Sequence, residues 1–286
     1  MFIRNYPLAK ATSLGVGGPA DYFARPATEA ELISALQFAE QHDLNVIVLG
    51  YGTNVLVRSA GIRGLVIQMA DNFAHVQVDG TTITASAGCL FSAVSKLAAY
   101  HRLTGLEFAV GIPGGIGGAV FMNAGAYDGE IGPLVRRVHF ATAAGPGSWT
   151  RDEFSYSYRH SRVQQEKIVV TRVELELRPG SREEILAKMN DLQARRRARQ
   201  PLEFPSAGST FKRPAGHYVG PMIEQAGLKG FRIGGAEVST KHAGFIINRG
   251  GATADDVLQL IQHIQREIKQ RFNVDLEPEI RILGSL

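Results

Sequence analysis

Five glycines fall within the eight residues Gly111-Ile112-Pro113-Gly114-Gly115-Ile116-Gly117-Gly118. No long regular helix or strand tolerates that density, because each glycine gives up backbone freedom and offers no side chain to pack. Such a segment turns tightly or lets its backbone approach something closely. A second cluster, Gly50-Tyr51-Gly52-Thr53-Asn54, follows the apolar strand pattern NVIVLG at 45–50, and shorter ones stand at 15–18, 234–235 and 250–251. In all, 32 of 286 residues are glycine, well above the usual share of about 7%. Both large clusters can present consecutive backbone N–H groups to an anion such as a pyrophosphate, from which a bulkier side chain would hold the backbone away. A tight turn explains either loop alone. Two of them, with MNAGAYDGE at 122–130 after the second, form a more specific pattern.

Helical and strand periodicities alternate irregularly around these loops. Thr28 and Glu31 form a capping-box pattern before a helix through Leu32, Leu36 and Ala39. Strand patterns at 55–58, 64–69, 75–79 and 82–86 precede a helix at 91–102, and further strands follow at 135–142 and 168–179. Ser181 and Glu184 cap a helix running to about Gln200, before Pro201. Beyond a loop at 201–214, a short helix around 221–226 and strands near 236–239 and 244–248 lead to a last helix. That helix starts at Thr253, with Asp255 and Asp256 at the positive end of its dipole. EIRILG at 279–284 closes the chain as a strand. Mixed elements without regular βαβ alternation predict an α+β architecture rather than a Rossmann sheet. At this length more than one packed subdomain is expected.

Several chemistries are excluded. Cys89, in an apolar stretch, is the only cysteine, so intramolecular disulfides, zinc ribbons and iron–sulfur clusters are ruled out, and a buried inert thiol is expected. No Gly-Lys dipeptide exists to make a Walker A loop. Gly15-x-Gly17-x-x-Ala20 matches a dinucleotide fingerprint formally, but no strand precedes it and Pro19 interrupts it. The eight histidines lack paired ligand spacing, so no metal is expected. The net charge of +4 and pI of about 9.2 raise a nucleic-acid binder as one class. The basic residues are dispersed, however, and the run Arg195-Arg196-Arg197 with Arg199 sits at a helix C-terminus, where cations are favoured and solvated. No nucleic-acid partner is expected. With no apolar run long enough to span a bilayer and no signal-peptide pattern, the expectation is a cytoplasmic protein with no membrane partner.

VLGYGTNVLV (48–57), GIPGGIGGAVFMNAGAYDGE (111–130), SYRHS (157–161), SAGSTFKRP (206–214), AGLKG (226–230) and LEPEIRILG (276–284) together resemble the UDP-N-acetylenolpyruvoylglucosamine reductases of peptidoglycan synthesis. The resemblance runs in order from about residue 10 to 284. The glycine loops are shared with the wider PCMH/vanillyl-alcohol-oxidase type of flavin oxidase, whereas the SYR, GSTFK and EPEIR elements are particular to these reductases. The resemblance implies a two-subdomain, non-Rossmann FAD-binding domain over residues 1–200, divided at about 69/70. The last strand, 276–286, is expected to pack back onto it, and a substrate-binding domain to span 201–275.

It also implies the chemistry. NADPH would reduce a bound FAD, and the reduced cofactor would convert UDP-N-acetylglucosamine enolpyruvate to UDP-N-acetylmuramate. Hydride addition to an enolpyruvyl ether leaves negative charge delocalised into the substrate carboxylate and needs a proton on the adjacent carbon. Arg159 matches the family's arginine and would stabilise that charge without losing its own proton. Ser209 matches the proton donor. Glu279, after Pro278, matches the glutamate and would orient or polarise the carboxylate, directly or through Arg159 or water. Without the resemblance these three read as a surface arginine, a turn serine and a strand-end carboxylate. FAD would contact Gly50, Gly52, Thr53, Asn54, Ile112, Pro113, Gly114, Gly115, Gly117, Gly118, Ala124 and Gly125. It would be noncovalent, since Thr53-Asn54-Val55 offers no histidine for attachment. Lys229, with Tyr158, Lys212 and Arg213, would contact the UDP-sugar. Only 50 positions separate Arg159 from Ser209, which places the chain with the shorter subclass that lacks a tyrosine-bearing insertion. A monomer is expected. The alternative on the same scaffold is a flavin-dependent oxidase.

Overall fold

Residues 2–285 are described by the computed structural model, which mixes helices and strands in the α+β manner. Contacts gather the chain into two units. The first comprises residues 2–3, Phe23–Tyr51 and Gly64–Arg196, and the second Arg4–Tyr22, Gly52–Arg63 and residues 197–285. The early segments belong to the second unit because Leu14, Val16 and Leu56 are built into its core.

The first unit is organised on an antiparallel five-stranded sheet in the order Gly145–Thr150, Val135–Thr142, Val169–Glu176, Thr82–Ser86, Val76–Asp79. Along Val169–Glu176 the residues Val169, Val173 and Leu175 are buried while Arg172 is exposed, the alternation expected of a sheet with unlike faces. Gly145–Thr150 holds Pro146 and two glycines and so escapes a strand reading, but it lies at the sheet edge, where a missing N–H is tolerated. The helix Glu29–Gln41 starts as expected, with Glu31 N donating to Thr28 Oγ1 at 3.2 Å; the Glu31 carboxylate reaches one residue past the usual box partner, to Ala27 N at 2.7 Å. Val46–Leu49 then pairs in parallel with Leu65–Gln68 and delivers the first glycine loop at its C-terminal end. The helix Arg182–Arg199 buries Ile185, Met189 and Leu192 against Ala99 and Val110.

The second unit holds an antiparallel sheet in the order Ser206–Ser209, Phe245–Asn248, Ala236–Val238, Arg232–Ile233. Against it packs the helix Ala254–Phe272, whose buried Val257, Leu260, Ile261, Ile264 and Ile268 recur at helical spacing. Its start carries a full capping box between Thr253 and Asp256, and its end passes through the left-handed Asn273 (φ 54°). The closing strand Arg281–Leu283 pairs in parallel with Val55–Val57, so the last residues lie beside the segment that leaves the first glycine loop. No helix among the described residues is long and apolar enough to cross a membrane.

Candidate active site

Within the first unit, Gly50 and Tyr51 leave the strand Val46–Leu49 and meet the second glycine loop. The Tyr51 hydroxyl donates to Gly88 O at 2.9 Å. Burial, then the negative charge of Asp71, pushes that phenol above its ordinary pKa, which keeps it a donor. The second loop is less open than its composition suggests. It begins as a 3-10 turn, Glu107–Gly111, passes Pro113 and Gly114, and from Ile116 to Phe121 is a short helix. Ile116 N donates to Cys89 O at 2.9 Å and Gly117 N to Ala87 O at 3.0 Å, so two of the amides expected to face an anion are bonded within the protein. Gly117 is glycine because a Cβ there would lie 2.8 Å from Ala87 Cβ. At Gly118 a Cβ would meet nothing within 4 Å. The sequence therefore divides its glycines between packing inward and leaving room outward. Cys89 is buried, and burial raises its thiol pKa, in keeping with an inert thiol.

Arg159 sits at the tip of a two-residue hairpin in which Tyr156–Ser157 pairs with His160–Ser161. Its φ of 56° is left-handed, a conformation that disfavours residues with a Cβ. The side chain is half-buried; Nη2 donates to Gly125 O at 3.2 Å, and the guanidinium lies 4.9 Å from the Tyr158 ring centre. Arg159 is thus brought onto Gly125, one of the residues expected at the cofactor. Asn123 fixes this arrangement. Fully buried, it donates from Nδ2 to Glu130 Oε2 (3.0 Å) and Ser157 O (2.9 Å), and its Oδ1 accepts from Gly132 N (2.9 Å). Ala124 N donates to Ala119 O at 2.8 Å, which ties the end of the loop helix to the same assembly.

The second unit brings together Ser209, Glu279, Thr53 and Asn54. Glu279 N donates to Thr210 O (2.8 Å), Lys212 N to Glu277 O (2.9 Å), and Phe211 bridges Pro278. Asn54 Nδ2 donates to Glu279 O at 3.2 Å, and Arg281 N to Asn54 O at 3.0 Å. Ser209 is exposed between the buried Ala207 and Thr210, its strand shifted in register at Gly208 (φ 79°). Gly52 is required by its neighbours: with φ at 64°, a Cβ would come within 2.1 Å of Ala11 O. Ser13 N donates to Gly52 O at 3.0 Å, and Ser13 Oγ to Ser206 O at 2.7 Å, so one serine holds the first glycine loop and the Ser209 strand together.

The expected substrate cations are more dispersed. Lys212 pairs with Glu277 at 2.5 Å, Lys229 with Glu224 at 2.7 Å, and the Arg213 guanidinium stacks 3.9 Å from the Tyr218 ring centre. Tyr158 is exposed beside Arg159. Near Lys229 lies His242, whose Nδ1 accepts from Gly244 N at 3.1 Å; burial first, then the Lys229 and Arg199 charges, hold its pKa below the ordinary histidine value.

Three positions escape sequence reasoning. Asn123 and Tyr51 lie in loops, where only their contacts reveal a role. Arg196 falls within the basic run expected to be solvated, and the structure corrects that expectation: Arg195, Arg197 and Arg199 are exposed, whereas Arg196 is half-buried against Gly111. The signal is the helical spacing 185, 189, 192, 196, which puts Arg196 on the buried stripe. The open space at Gly118 and the inward-facing Arg196 cation suit an anionic ligand at this loop.

Comparisons with known proteins agree in both halves. A profile of the FAD binding domain matches residues 20–146, and one of the C-terminal domain of UDP-N-acetylenolpyruvoylglucosamine reductase matches residues 200–283. The UDP-N-acetylenolpyruvoylglucosamine reductase of Latilactobacillus sakei subsp. sakei is 50% identical over 281 residues, covering 98% of this chain and 92% of the relative. That of Caldanaerobacter subterraneus subsp. tengcongensis is 47% identical over 281 residues, covering 98% and 93%. The crystal structure of the reductase from Thermus caldophilus superposes with a TM-score of 0.85 at 35% identity, covering 99% of this chain and 98% of that one.

Proposed function

The chain belongs to the UDP-N-acetylenolpyruvoylglucosamine reductase family, and from that premise we propose that it reduces UDP-N-acetylglucosamine enolpyruvate to UDP-N-acetylmuramate for peptidoglycan precursors. The FAD is held noncovalently, and NADPH is the hydride donor. When bound, the flavin supplies a hydride to the terminal methylene carbon of the enolpyruvyl group. Arg159 stabilises the charge that then develops on the substrate carboxylate and enolate, for which a guanidinium that stays protonated is suited. Ser209 gives its hydroxyl proton to the adjacent carbon, where a strongly basic carbanion compensates for the weak acidity of a serine. Glu279 orients the carboxylate. The glycine loops at 50–54 and 111–118, with Ala124 and Gly125, hold the cofactor. Tyr158, Lys212, Arg213 and Lys229 serve the sugar nucleotide, and the shorter-subclass chain does so without a tyrosine-bearing insertion.

In this reading residues 1–200 with the closing strand 276–286 form the FAD-binding domain and 201–275 the substrate domain, and the protein acts as a cytoplasmic monomer. The observation that carries the catalytic assignment is the hydrogen bond from Glu279 N to Thr210 O, which sets two of the three assigned residues on adjacent backbones although 70 positions separate them in sequence. The test is direct. The purified protein should show a flavin absorption band, release free FAD on denaturation, and oxidise NADPH at a rate that depends on the enolpyruvyl sugar nucleotide. Oxygen consumption matching NADPH loss, with no dependence on that substrate, would reject the reading.

A further inference from the structure

Three consecutive carbonyls in the first unit, those of Ala87, Gly88 and Cys89, all accept hydrogen bonds, and the donors come from both glycine loops. Ala87 O accepts from Gly117 N at 3.0 Å and Cys89 O from Ile116 N at 2.9 Å, which seats the second loop. Phe91 N, donating to Gly114 O at 2.9 Å, and a bridge between Leu90 and Gly115 extend that seam. The middle carbonyl goes to the first loop: Gly88 O accepts from the Tyr51 hydroxyl at 2.9 Å.

The Tyr51 ring passes along the second loop on its way to that carbonyl, since a Cβ on Gly115 would lie 3.5 Å from Tyr51 Cε2 and 3.6 Å from Cδ2, ordinary contact distances. The accepting segment is firmly placed. Gly88 N donates to Phe73 O at 3.0 Å, and a Cβ on Gly88 would come within 1.8 Å of Ala70 O, so its backbone lies directly on the segment 70–73. On the other side, Gly50 O accepts from Gln68 Nε2 at 3.2 Å, which holds the start of the first loop to its strand. Glycine-rich segments have the most backbone freedom to lose, so a gap between two of them keeps its width only where a contact spans it. Tyr51 spans it with a side chain that is half-buried and, its pKa being raised, stays a donor.

We propose that the Tyr51 hydroxyl holds the first glycine loop at a fixed distance from the second, so that the cradle for FAD stands formed before the cofactor arrives. The inference rests on the FAD-dependent reading above. Tyr51 is a positioning residue: it acts through the two loops and takes no part in hydride or proton transfer. Without the hydroxyl the loops of the apoprotein part for a fraction of the time, and the apparent affinity falls with the fraction that remains competent to bind. The loss then lies in association, because the bound cofactor itself holds the loops together.

The experiment follows flavin fluorescence by stopped flow as FAD meets the apoprotein, and again on dilution of the holoprotein, which gives the association and dissociation rates separately. It uses the wild type, Tyr51→Phe, which keeps the ring against Gly115 and removes only the hydroxyl, and Ser95→Ala. The last removes a buried hydroxyl of the same unit that joins the helix Phe91–Tyr100 to Leu106 O at 2.6 Å. Expected in Tyr51→Phe is association slowed by about three- to tenfold, as the loss of one hydrogen bond allows, with dissociation little changed. Ser95→Ala should associate like the wild type. Unchanged association in Tyr51→Phe overturns the proposal. So does a loss confined to dissociation, which would put the hydroxyl to work on the bound cofactor, and so does equal slowing in Ser95→Ala, the mark of general loosening. Wild-type protein that binds no FAD would instead remove the flavin reading, and the proposal with it.

Discussion

The backbone amide of Glu279 donates to the carbonyl of Thr210 at 2.8 Å, which clamps the strand end carrying Ser209 to the Pro278–Glu279 turn. The same turn receives Asn54 Nδ2 on the Glu279 carbonyl, and Asn54 O accepts from Arg281 N. Residues from three distant parts of the sequence thus share one short hydrogen-bonded seam. Bonds of this kind hold the origins of the side chains in place.

The role proposed for Ser209 can be tested on the two half-reactions separately. Ser209→Ala should leave FAD binding and flavin reduction by NADPH nearly intact, because neither places a proton on a substrate carbon. Reoxidation by the enolpyruvyl substrate should fall by about 10²–10⁴-fold, the usual contribution of a general acid. Stopped-flow absorbance of each half-reaction measures this. An unchanged reoxidation rate removes Ser209 from the mechanism, and equal weakening of both halves makes it a loop-shaping residue.

Asn123 should behave as a structural keystone of the first unit. Its side chain makes three hydrogen bonds at full burial, to Glu130, Ser157 and Gly132. Asn123→Ala strands those partners and should lower stability by ~2–4 kcal/mol, given ~1–3 kcal/mol for each buried polar group left unmade. Urea unfolding would record it as a lower midpoint at unchanged slope. A change within ~0.5 kcal/mol, typical of unconstrained surface sites, would mean that the Ser157 and Gly132 segments hold themselves.

How far the sequence foretells this arrangement varies with the kind of force involved. The last helix is legible, since Val257, Leu260, Ile261, Ile264 and Ile268 repeat at helical spacing behind the Thr253 cap. The α+β class follows in the same way. The hairpin Gly125–Ala126 with Gly129–Glu130 is not legible, because its turn places Tyr127 (φ 51°) and Asp128 (φ 66°) in left-handed conformations that usually call for Asn-Gly. The helix Ile116–Phe121 hides within glycines that read as loop, and tertiary bonds from Ile116 and Gly117 to the Ala87–Cys89 segment hold it. Pairing of Arg281–Leu283 with Val55–Val57 leaves no local trace, since register between strands so far apart is set by the whole core. For the site, the resemblance supplied Arg159, Ser209 and Glu279, while Arg196 was concealed by its charged neighbours.

His242 makes stability depend on pH. Burial holds its folded pKa below the ordinary value of 6.5, so the unfolded chain takes up a proton at pH values where the folded protein does not. Its stabilising contribution is therefore complete above pH 6.5 and is lost as pH falls from there toward the folded pKa. Urea midpoints between pH 8 and pH 5 should decline through this window in the wild type. In His242→Gln, which cannot titrate, the decline should be shallower. Identical slopes in the two proteins would assign the pH dependence elsewhere.

Arg159 sets stability against activity. Its left-handed φ of 56° is one that glycine adopts freely and that disfavours other residues by ~1–2 kcal/mol. Compensating contacts include a hydrogen bond from Nη2 to Gly125 O and a cation–π contact with Tyr158, the latter ~0.5–1 kcal/mol at an exposed site. Arg159→Gly removes both the strain and the contacts, so thermal stability should be unchanged or raised by up to ~1 kcal/mol. Arg159→Ala keeps the strain without the contacts and should be the less stable of the two. Turnover with the enolpyruvyl substrate should fall by at least about 10²-fold in both, as expected when a preorganised charge facing a developing anion is deleted. Flavin reduction by NADPH should persist. If Arg159→Gly loses stability in step with activity, the arginine is there to hold the hairpin; if it retains turnover, the guanidinium has no part in the reaction.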